Sequence, residues 1–219
     1  AGDDHGAKSS TIAHQSEHAF LHFSMPVLNP ATVQDYLDFG LYGFAMSRYS
    51  GCWIGFICVT DTVESSASVY VDPHRVEIKI PEDFTVEPGS LSSAFGVMPL
   101  VAEKRQFQQR LLAAQAFARA NQLDKVVMGG KNKKIGIVTT GKSYLDVRDA
   151  LEELGVDEAR AEQLGIAIYK VAMTWPMEPE GLRAFADGCD ELLVIEEKRA
   201  FMEDQIAKIL FNLPIEKRP

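Results

Sequence analysis

The stretch Lys134-Ile-Gly-Ile-Val-Thr-Thr-Gly141-Lys-Ser-Tyr-Leu-Asp-Val-Arg-Asp-Ala-Leu-Glu-Glu-Leu-Gly155 decides the fold class of this chain. Ile135 to Thr140 is a short apolar and β-branched run, as expected of a buried strand, and Gly141 breaks it. Ser143 offers a hydroxyl to cap a following helix. Tyr144, Val147, Leu151 and Leu154 recur at spacings of three and four, which gives that helix one apolar stripe. Gly155 ends it where a residue with positive φ is wanted. The unit is strand–turn–helix, from which open parallel sheets are assembled.

The same letters carry a second reading. Gly136 to Ser143 satisfies the phosphate-loop pattern G-x-x-x-x-G-K-[ST], and Leu192 to Glu197 has the form of an apolar strand ending in acids that could help hold magnesium. A phosphate loop needs its strand before the first glycine, so that backbone N–H groups after it can wrap the phosphates. Here the residues before Gly136 are Lys131-Asn-Lys-Lys134, and the strand-forming Ile137 and Val138 lie inside the would-be loop. The favoured expectation is therefore a buried strand through Ile137 and Val138, with the turn confined to Thr140 through Ser143. Gly141, Lys142 and Ser143, at a helix start, form an anion-capable turn on either reading.

Downstream, Ile166 to Val171 reads as the next strand, Gly181 to Ala186 as a short helix after Glu178-Pro179, and Leu192 to Ile195 as a third strand. A last helix over Arg199 to Leu210 has Phe201, Met202, Ile206, Ile209 and Leu210 as its stripe. That is βαβαβα, a compact doubly wound sheet. A proline-bounded polar tail from Leu213 to Pro219 reads as a linker.

Upstream, Gly2-Asp-Asp-His-Gly-Ala-Lys-Ser-Ser10 is too polar for a strand, and a segment of this kind normally follows a strand and lines a cleft. The strand it should follow is expected upstream of Gly2. Ser9 or Ser10 could cap a helix over Thr11 to His22, on which His14, His18 and His22 share one face beside Glu17. That spacing could hold zinc, but without an H-E-x-x-H order the expectation is a half-exposed polar stripe, and no metal ligands are assigned. Met25 to Leu28 is a short strand, and Thr32 caps a long helix with Val33, Tyr36, Leu37, Leu41 and Phe44 inward. Cys52 to Val59 is a continuous strand, and the polar loop Thr60 to Ser66 at its carboxyl end stands where ligands of open α/β sheets bind. Thr60, Asp61, Thr62 and Glu64 are its candidate cleft residues. Val69 to Val71 and Val76 to Ile80 could pair as a ribbon, and Glu103 to Asn121 is a strong helix with Phe107, Leu111, Ala114 and Phe117 inward. The division between two domains falls near Leu123, giving 1–122 and 123–219.

Composition bounds the partners. With 22 basic against 31 acidic residues the formal net charge is −9, which argues against nucleic acid as principal partner. No apolar run reaches membrane-spanning length. Three cysteines, Cys52, Cys58 and Cys189, form no C-x-x-C pair and no even framework, as in a reducing, cytoplasmic setting, and are too few to ligate an iron–sulfur cluster.

Several of these motifs are similar to one family. The Gly2-to-Ser10 segment with Gln15, Met25-Pro-Val-Leu28 followed by Val33-Gln-Asp-Tyr-Leu-Asp38, and Thr60-Asp-Thr-Val-Glu-Ser-Ser66 resemble 2-oxoacid:ferredoxin oxidoreductases, nearest the long, fused indolepyruvate type of bacteria. Gly141 to Arg148 is similar to the turn that opens that family's transketolase C-terminal-like domain. The resemblance implies the remainder of a thiamine-diphosphate pyrimidine-type α/β domain followed by a transketolase C-terminal-like open sheet. It also implies oxidative decarboxylation of a 2-oxoacid to an acyl-CoA with reduction of ferredoxin. Thiamine diphosphate, magnesium, 4Fe-4S clusters and coenzyme A would serve the full enzyme, with none bound by this chain alone. Partners implied are the enzyme's remaining domains, ferredoxin and a second copy. The loop facing the active site would present Asp4, His5, Lys8, Ser9, Ser10 and Gln15. A nucleotide-binding module built on Gly136 to Ser143 and a non-catalytic assembly domain stand as alternatives.

Overall fold

The computed structural model describes residues 1–4, 6, 14–91 and 96–219. In chain order its strands are Gly2–Asp3 (β1), Val27–Leu28 (β2), Gly55–Phe56 (β3), Cys58–Val59 (β4), Lys125–Met128 (β5), Ile135–Thr140 (β6), Ile166–Val171 (β7), Met173–Trp175 (β8) and Glu191–Ile195 (β9). The helices are Glu17–His22 (α1), Val33–Ser50 (α2), Thr60–Val63 (α3), Pro99–Arg105 (α4), Leu111–Ala120 (α5), Gly141–Glu153 (α6), Glu158–Leu164 (α7), Pro179–Ala186 (α8) and Met202–Leu210 (α9).

The four-stranded sheet has the order β5-β7-β6-β9, parallel except for the edge strand β5. Alternation along its strands divides two cores. Val138, Ala167, Tyr169 and Val171 face Leu182 and Phe185 of α8 and Met202, Ile206 and Leu210 of α9. Ile137 and Ile168 face the other way, onto Val147 and Leu151 of α6 and Ala161 of α7. A parallel strand covered on both faces must be apolar on both, which is why β6 reads as a continuous run. Gly136 fits closely there: an added Cβ would lie 2.6 Å from Leu192 Cδ2 and 2.9 Å from Phe185 Cε1, side-chain atoms that would have to shift.

The expected α/β architecture is present, with corrections in detail. Helix α6 starts at Gly141, and Ser143 is buried in its first turn with Thr140 at the N-cap. Leu154, 76% exposed, is no part of the stripe. Strands β5 and β8 and helix α7 are additions, and α9 begins at Met202 because Phe201 turns inward ahead of it. Gly2–Asp3 pairs in parallel with Cys58–Val59 despite its polarity, since Asp3 is satisfied within the protein. Helix α1 covers only Glu17–His22; His14 and Gln15 precede it, and Thr11 to Ala13 lie outside the described residues.

The run Cys52 to Val59 is two strands, not one. Ile57 donates its N–H to Leu28 O, whereas Cys58 donates to Ala1 O, so the chain changes partners between them. Thr60 to Val63 is a helical turn, not an open loop, and no strand forms over residues 69–71 or 76–80. The helix expected from Glu103 starts at Pro99 and passes through a π-helical segment, Gln106–Arg110. The wider turn shifts the helical phase and leaves Phe107 51% exposed, where the sequence placed it inward.

Thr32 caps α2 as expected, in a capping box with Asp35, and Gly51 closes it at φ +73°. Its inner face is Phe39, Gly43 and Met46, packed with Leu28, Ala114, Phe117 and Met173. Leu37, Leu41 and Phe44, assigned inward from the sequence, are exposed. Strand β8 pairs antiparallel with β2 while β3 pairs with β2 in parallel, so a strand from the second half completes the sheet of the first.

Asp124 fixes the passage from β7 to β8: Ala172 N and Met173 N donate to its Oδ1 at 2.7 and 3.0 Å, and its Oδ2 is sealed without a partner. Burial pushes this carboxyl up to about 7, against the opposing pull of the two N–H donors. Its folded pKa thus exceeds the unfolded one, so its stabilisation is complete below about pH 4 and is lost as pH rises through about 7. Urea midpoints measured from pH 4 to 8 should fall less steeply in Asp124→Asn than in the parent; equal slopes would contradict this assignment.

Residues 136 to 139 are paired on both sides, with β7 and β9, and Thr140 is paired with β7, so this stretch is strand and does not wrap a phosphate. Lys142 Nζ instead lies 2.6 Å from Asp146 on its own helix, an i,i+4 pair near the surface. Lys142→Ala should cost no more than about 0.5 kcal/mol in chemical denaturation, and magnesium–ATP should show no micromolar binding by calorimetry.

Candidate functional site

The carboxyl ends of β1, β2, β4, β6 and β9 converge, and the residues just beyond them line one cleft, as open α/β sheets place their sites. Asp3 ends β1 and Asp4 follows it, Asn29 follows β2, Lys142 and Ser143 lie in the first turn of α6, and Glu196, Glu197 and Lys198 follow β9. Gln15 and Glu17 close it from the N-terminal segment, and Thr174 of β8 forms part of its wall.

Most of its charges hold the protein's own backbone. Asp3 Oδ1 accepts Ser16 Oγ–H at 2.9 Å and lies 2.5 Å from His14 Nδ1, while Oδ2 accepts Ser16 N–H at 3.1 Å. Thr60 Oγ1 donates to Asp4 Oδ1 at 3.0 Å. Glu196 caps α9, accepting N–H bonds from Phe201, Met202 and Glu203 at 2.8–3.1 Å. Glu197 accepts Gly6 N–H at 2.7 Å, and Lys198 Nζ donates to His14 O. The β9–α9 connection therefore clasps both flanks of the N-terminal segment. Magnesium ligation by Glu196, the acid of the phosphate-loop reading, conflicts with its role as helix cap.

A different set of groups is unsatisfied. Gln15 Oε1, Glu17 Oε2, Asn29 Oδ1 and Thr174 Oγ1 are buried at this cleft without a hydrogen-bond partner. Burial raises the Glu17 carboxyl above its ordinary range. Asn29 is held by its N–H to Ala172 O at 2.9 Å, and Gly141, at φ +50°, passes its amide so closely that a Cβ would come within 2.6 Å. The enclosed space is about 30 Å³, room for one or two waters.

Of the residues singled out from sequence, Asp4, Gln15, Lys142 and Ser143 line the cleft, and Gly141 lies against Asn29. His5, Lys8, Ser9 and Ser10 lie outside the described residues. Thr60 reaches the cleft through Asp4, Thr62 is buried against Tyr36 OH at 2.8 Å, Asp61 sits on the same helical turn, and Glu64 is exposed just after it. The three histidines diverge: His14 pairs with Asp3, His18 packs edge-on against Phe201, and His22 against Phe23. Among the described residues no three His, Cys, Asp or Glu side chains form a metal-binding group, and no helix is long and apolar enough to cross a membrane. Asn29 read only as a strand terminator, and Thr174 was invisible because β8 was. An asparagine beside proline at the carboxyl end of a short strand was the one available signal for Asn29.

Residues 125–218 match the indolepyruvate oxidoreductase domain. Over 209 residues, 94% of this chain and 32% of the relative, the chain is 24% identical to the indolepyruvate oxidoreductase subunit IorA of Methanothermobacter thermautotrophicus. It is 26% identical to that of Pyrococcus abyssi over 196 residues, 86% of this chain and 28% of the relative. A 2-oxoglutarate:ferredoxin oxidoreductase from Magnetococcus marinus, solved with 2-oxoglutarate, coenzyme A and succinyl-CoA, superposes with a TM-score of 0.54 at 14% identity, covering 85% of this chain and 37% of its own. A split-gene transketolase, an inactive β4 tetramer, gives 0.55 at 16% identity, covering 98% and 53%. These two establish the fold. The chain spans about a third of the length of these curated relatives, and over residues 125–218 it is similar to the indolepyruvate oxidoreductase domain.

Proposed function

We propose that this chain forms one part of a thiamine-diphosphate-dependent 2-oxoacid oxidoreductase of the indolepyruvate type. The whole enzyme decarboxylates its 2-oxoacid, forms an acyl-CoA and passes two electrons to ferredoxin. What carries this reading is the likeness to IorA across 94% of the chain, joined to a cleft at the strand carboxyl ends.

The described residues do not fit thiamine diphosphate. The enclosed volume is about 30 Å³, against about 300–1,000 Å³ for ligand pockets, and five carboxylates line it against two lysines. On this reading thiamine diphosphate, magnesium, the 4Fe-4S clusters and coenzyme A are held by other parts of the enzyme. This chain contributes the N-terminal segment that faces them, clasped at Gly6 and His14. The remaining domains and ferredoxin are its partners, the enzyme is cytoplasmic, and residues 1–122 and 123–219 correspond to its two domain types.

The test is a replacement. Residues 1–219 inserted for the matching segment of the Methanothermobacter IorA should preserve measurable indolepyruvate oxidation, and a folded chimera without turnover would count against the reading. The isolated chain, given indolepyruvate, thiamine diphosphate, magnesium, coenzyme A and ferredoxin, should release no carbon dioxide; turnover there would overturn it.

A further role in assembly is favoured by an open groove lined by Tyr36, Phe44, Trp53, Ile54 and Phe56, where Phe44 and Trp53 are 72% and 81% exposed. If a second copy covers it, Trp53→Glu should shift sedimentation equilibrium toward the monomer, and an unchanged distribution would remove this face from the assembly.

A further inference from the structure

Four oxygens at the cleft have no hydrogen-bond partner, and they come from three separate parts of the chain. Gln15 Oε1 and Glu17 Oε2 belong to the N-terminal segment, Asn29 Oδ1 to the turn after β2, and Thr174 Oγ1 to β8. Asn29 is 7% exposed and Thr174 1%, so neither can turn to bulk water. A sealed polar atom without a partner leaves its lost hydration unrepaid, and four around one small cavity call for an occupant that satisfies them together.

We propose that the cavity is a monovalent-cation site, for sodium or potassium, ligated by Gln15 Oε1, Glu17 Oε2, Asn29 Oδ1 and Thr174 Oγ1. With the amides as oriented and Glu17 ionised, as a bound cation would hold it, three of the four atoms are acceptors only and the fourth is a hydroxyl oxygen, so the complementary partner is electron-poor on every side. The space of about 30 Å³ admits an ion or a pair of waters, but no organic ligand. Charge favours the ion: five carboxylates line the cleft, and of its two lysines one pairs with Asp146 and the other with His14 O.

The valence follows from the ligands. Glu17 is the single carboxylate in the set, and the other three ligands are neutral. The remaining acids that could recruit a divalent ion are engaged, Asp3 with Ser16 and His14, Glu196 with the α9 amides. Calcium takes six to eight oxygens and magnesium near-ideal octahedral geometry, whereas one carboxylate with neutral oxygens balances a single positive charge. A cation here would tie the N-terminal segment to β2 and β8.

An ion bound only by the folded state raises the melting temperature with its concentration. The protein, melted in sodium or potassium chloride and in choline chloride at equal ionic strength, should show a rise of about 3–5 °C per tenfold of salt above the dissociation constant, absent in choline. Thr174→Val keeps the side-chain volume and removes an oxygen that has no partner, so it should fold in choline as well as the parent. Its cation-dependent rise should be reduced or lost. Thallium-soaked crystals should show an anomalous peak among Gln15, Glu17, Asn29 and Thr174. Equal melting in all three salts with no thallium peak would mean that the cavity holds only water. A cation-dependent rise undiminished in Thr174→Val would place the ion elsewhere; either result overturns the proposal.

Discussion

Lys170 Nζ lies 2.6 Å from Asp35 Oδ2, and much of the structure is arranged around that pair. The lysine sits on β7, between β5 and β6, and is only 7% exposed, stacked over the Tyr144 ring at 4.9 Å. Asp35 is 135 residues away, in the first turn of α2, where the same carboxylate accepts N–H bonds from Ala31 and Thr32. A buried ion pair adds little net stability, because removing both charges from water offsets their attraction; breaking it leaves one charge uncompensated. Its effect is to fix position. The start of α2 and the middle of the second sheet have one low-energy arrangement, and β2, just upstream of α2, is thereby brought to β8.

The cleft is a consequence of that joint. Between residues 170 and 174 the chain pairs with Asp35, gives Ala172 O to Asn29, and binds Asp124 with two consecutive amides. Asn29 and Thr174 face the cavity because the two halves meet there. The acids at its mouth then anchor backbone: three amides of α9 on Glu196, Gly6 on Glu197, Ser16 on Asp3. Charge-assisted bonds of this kind are worth about 1.5–3 kcal/mol each, so the cleft's polarity is largely the means by which the N-terminal segment is held.

Helix α2 shows why some assignments fail. Val33, Tyr36, Leu37, Leu41 and Phe44 form one apolar stripe, and Phe39, Tyr42, Met46 and Tyr49 form another. When a helix is apolar on two sides, periodicity names two candidate inner faces and only the neighbours choose between them. Here Leu28, Ala114 and Phe117 claim the second, and the first is left to the open groove beside Trp53. The same limit applies to Phe107, whose phase was reset by a π-helical segment that propensity does not signal.

The sequence by itself determined what depends on neighbours in the chain. β6 is legible because a strand buried on both faces must be apolar throughout, and the cap at Thr32 and the stop at Gly155 are local chemistry. The family motifs around Asp3-Asp4 and Gly141 to Arg148 were likewise readable, and the indolepyruvate oxidoreductase likeness bears out that resemblance. Only the tertiary structure decided that β8 exists and joins β2, since a three-residue strand has no period to detect and is defined by its partner. It alone placed Gln15, Glu17, Asn29 and Thr174 around one cavity. Those residues are up to 159 positions apart in the chain, and nothing local marks an oxygen that will be left without a hydrogen to accept.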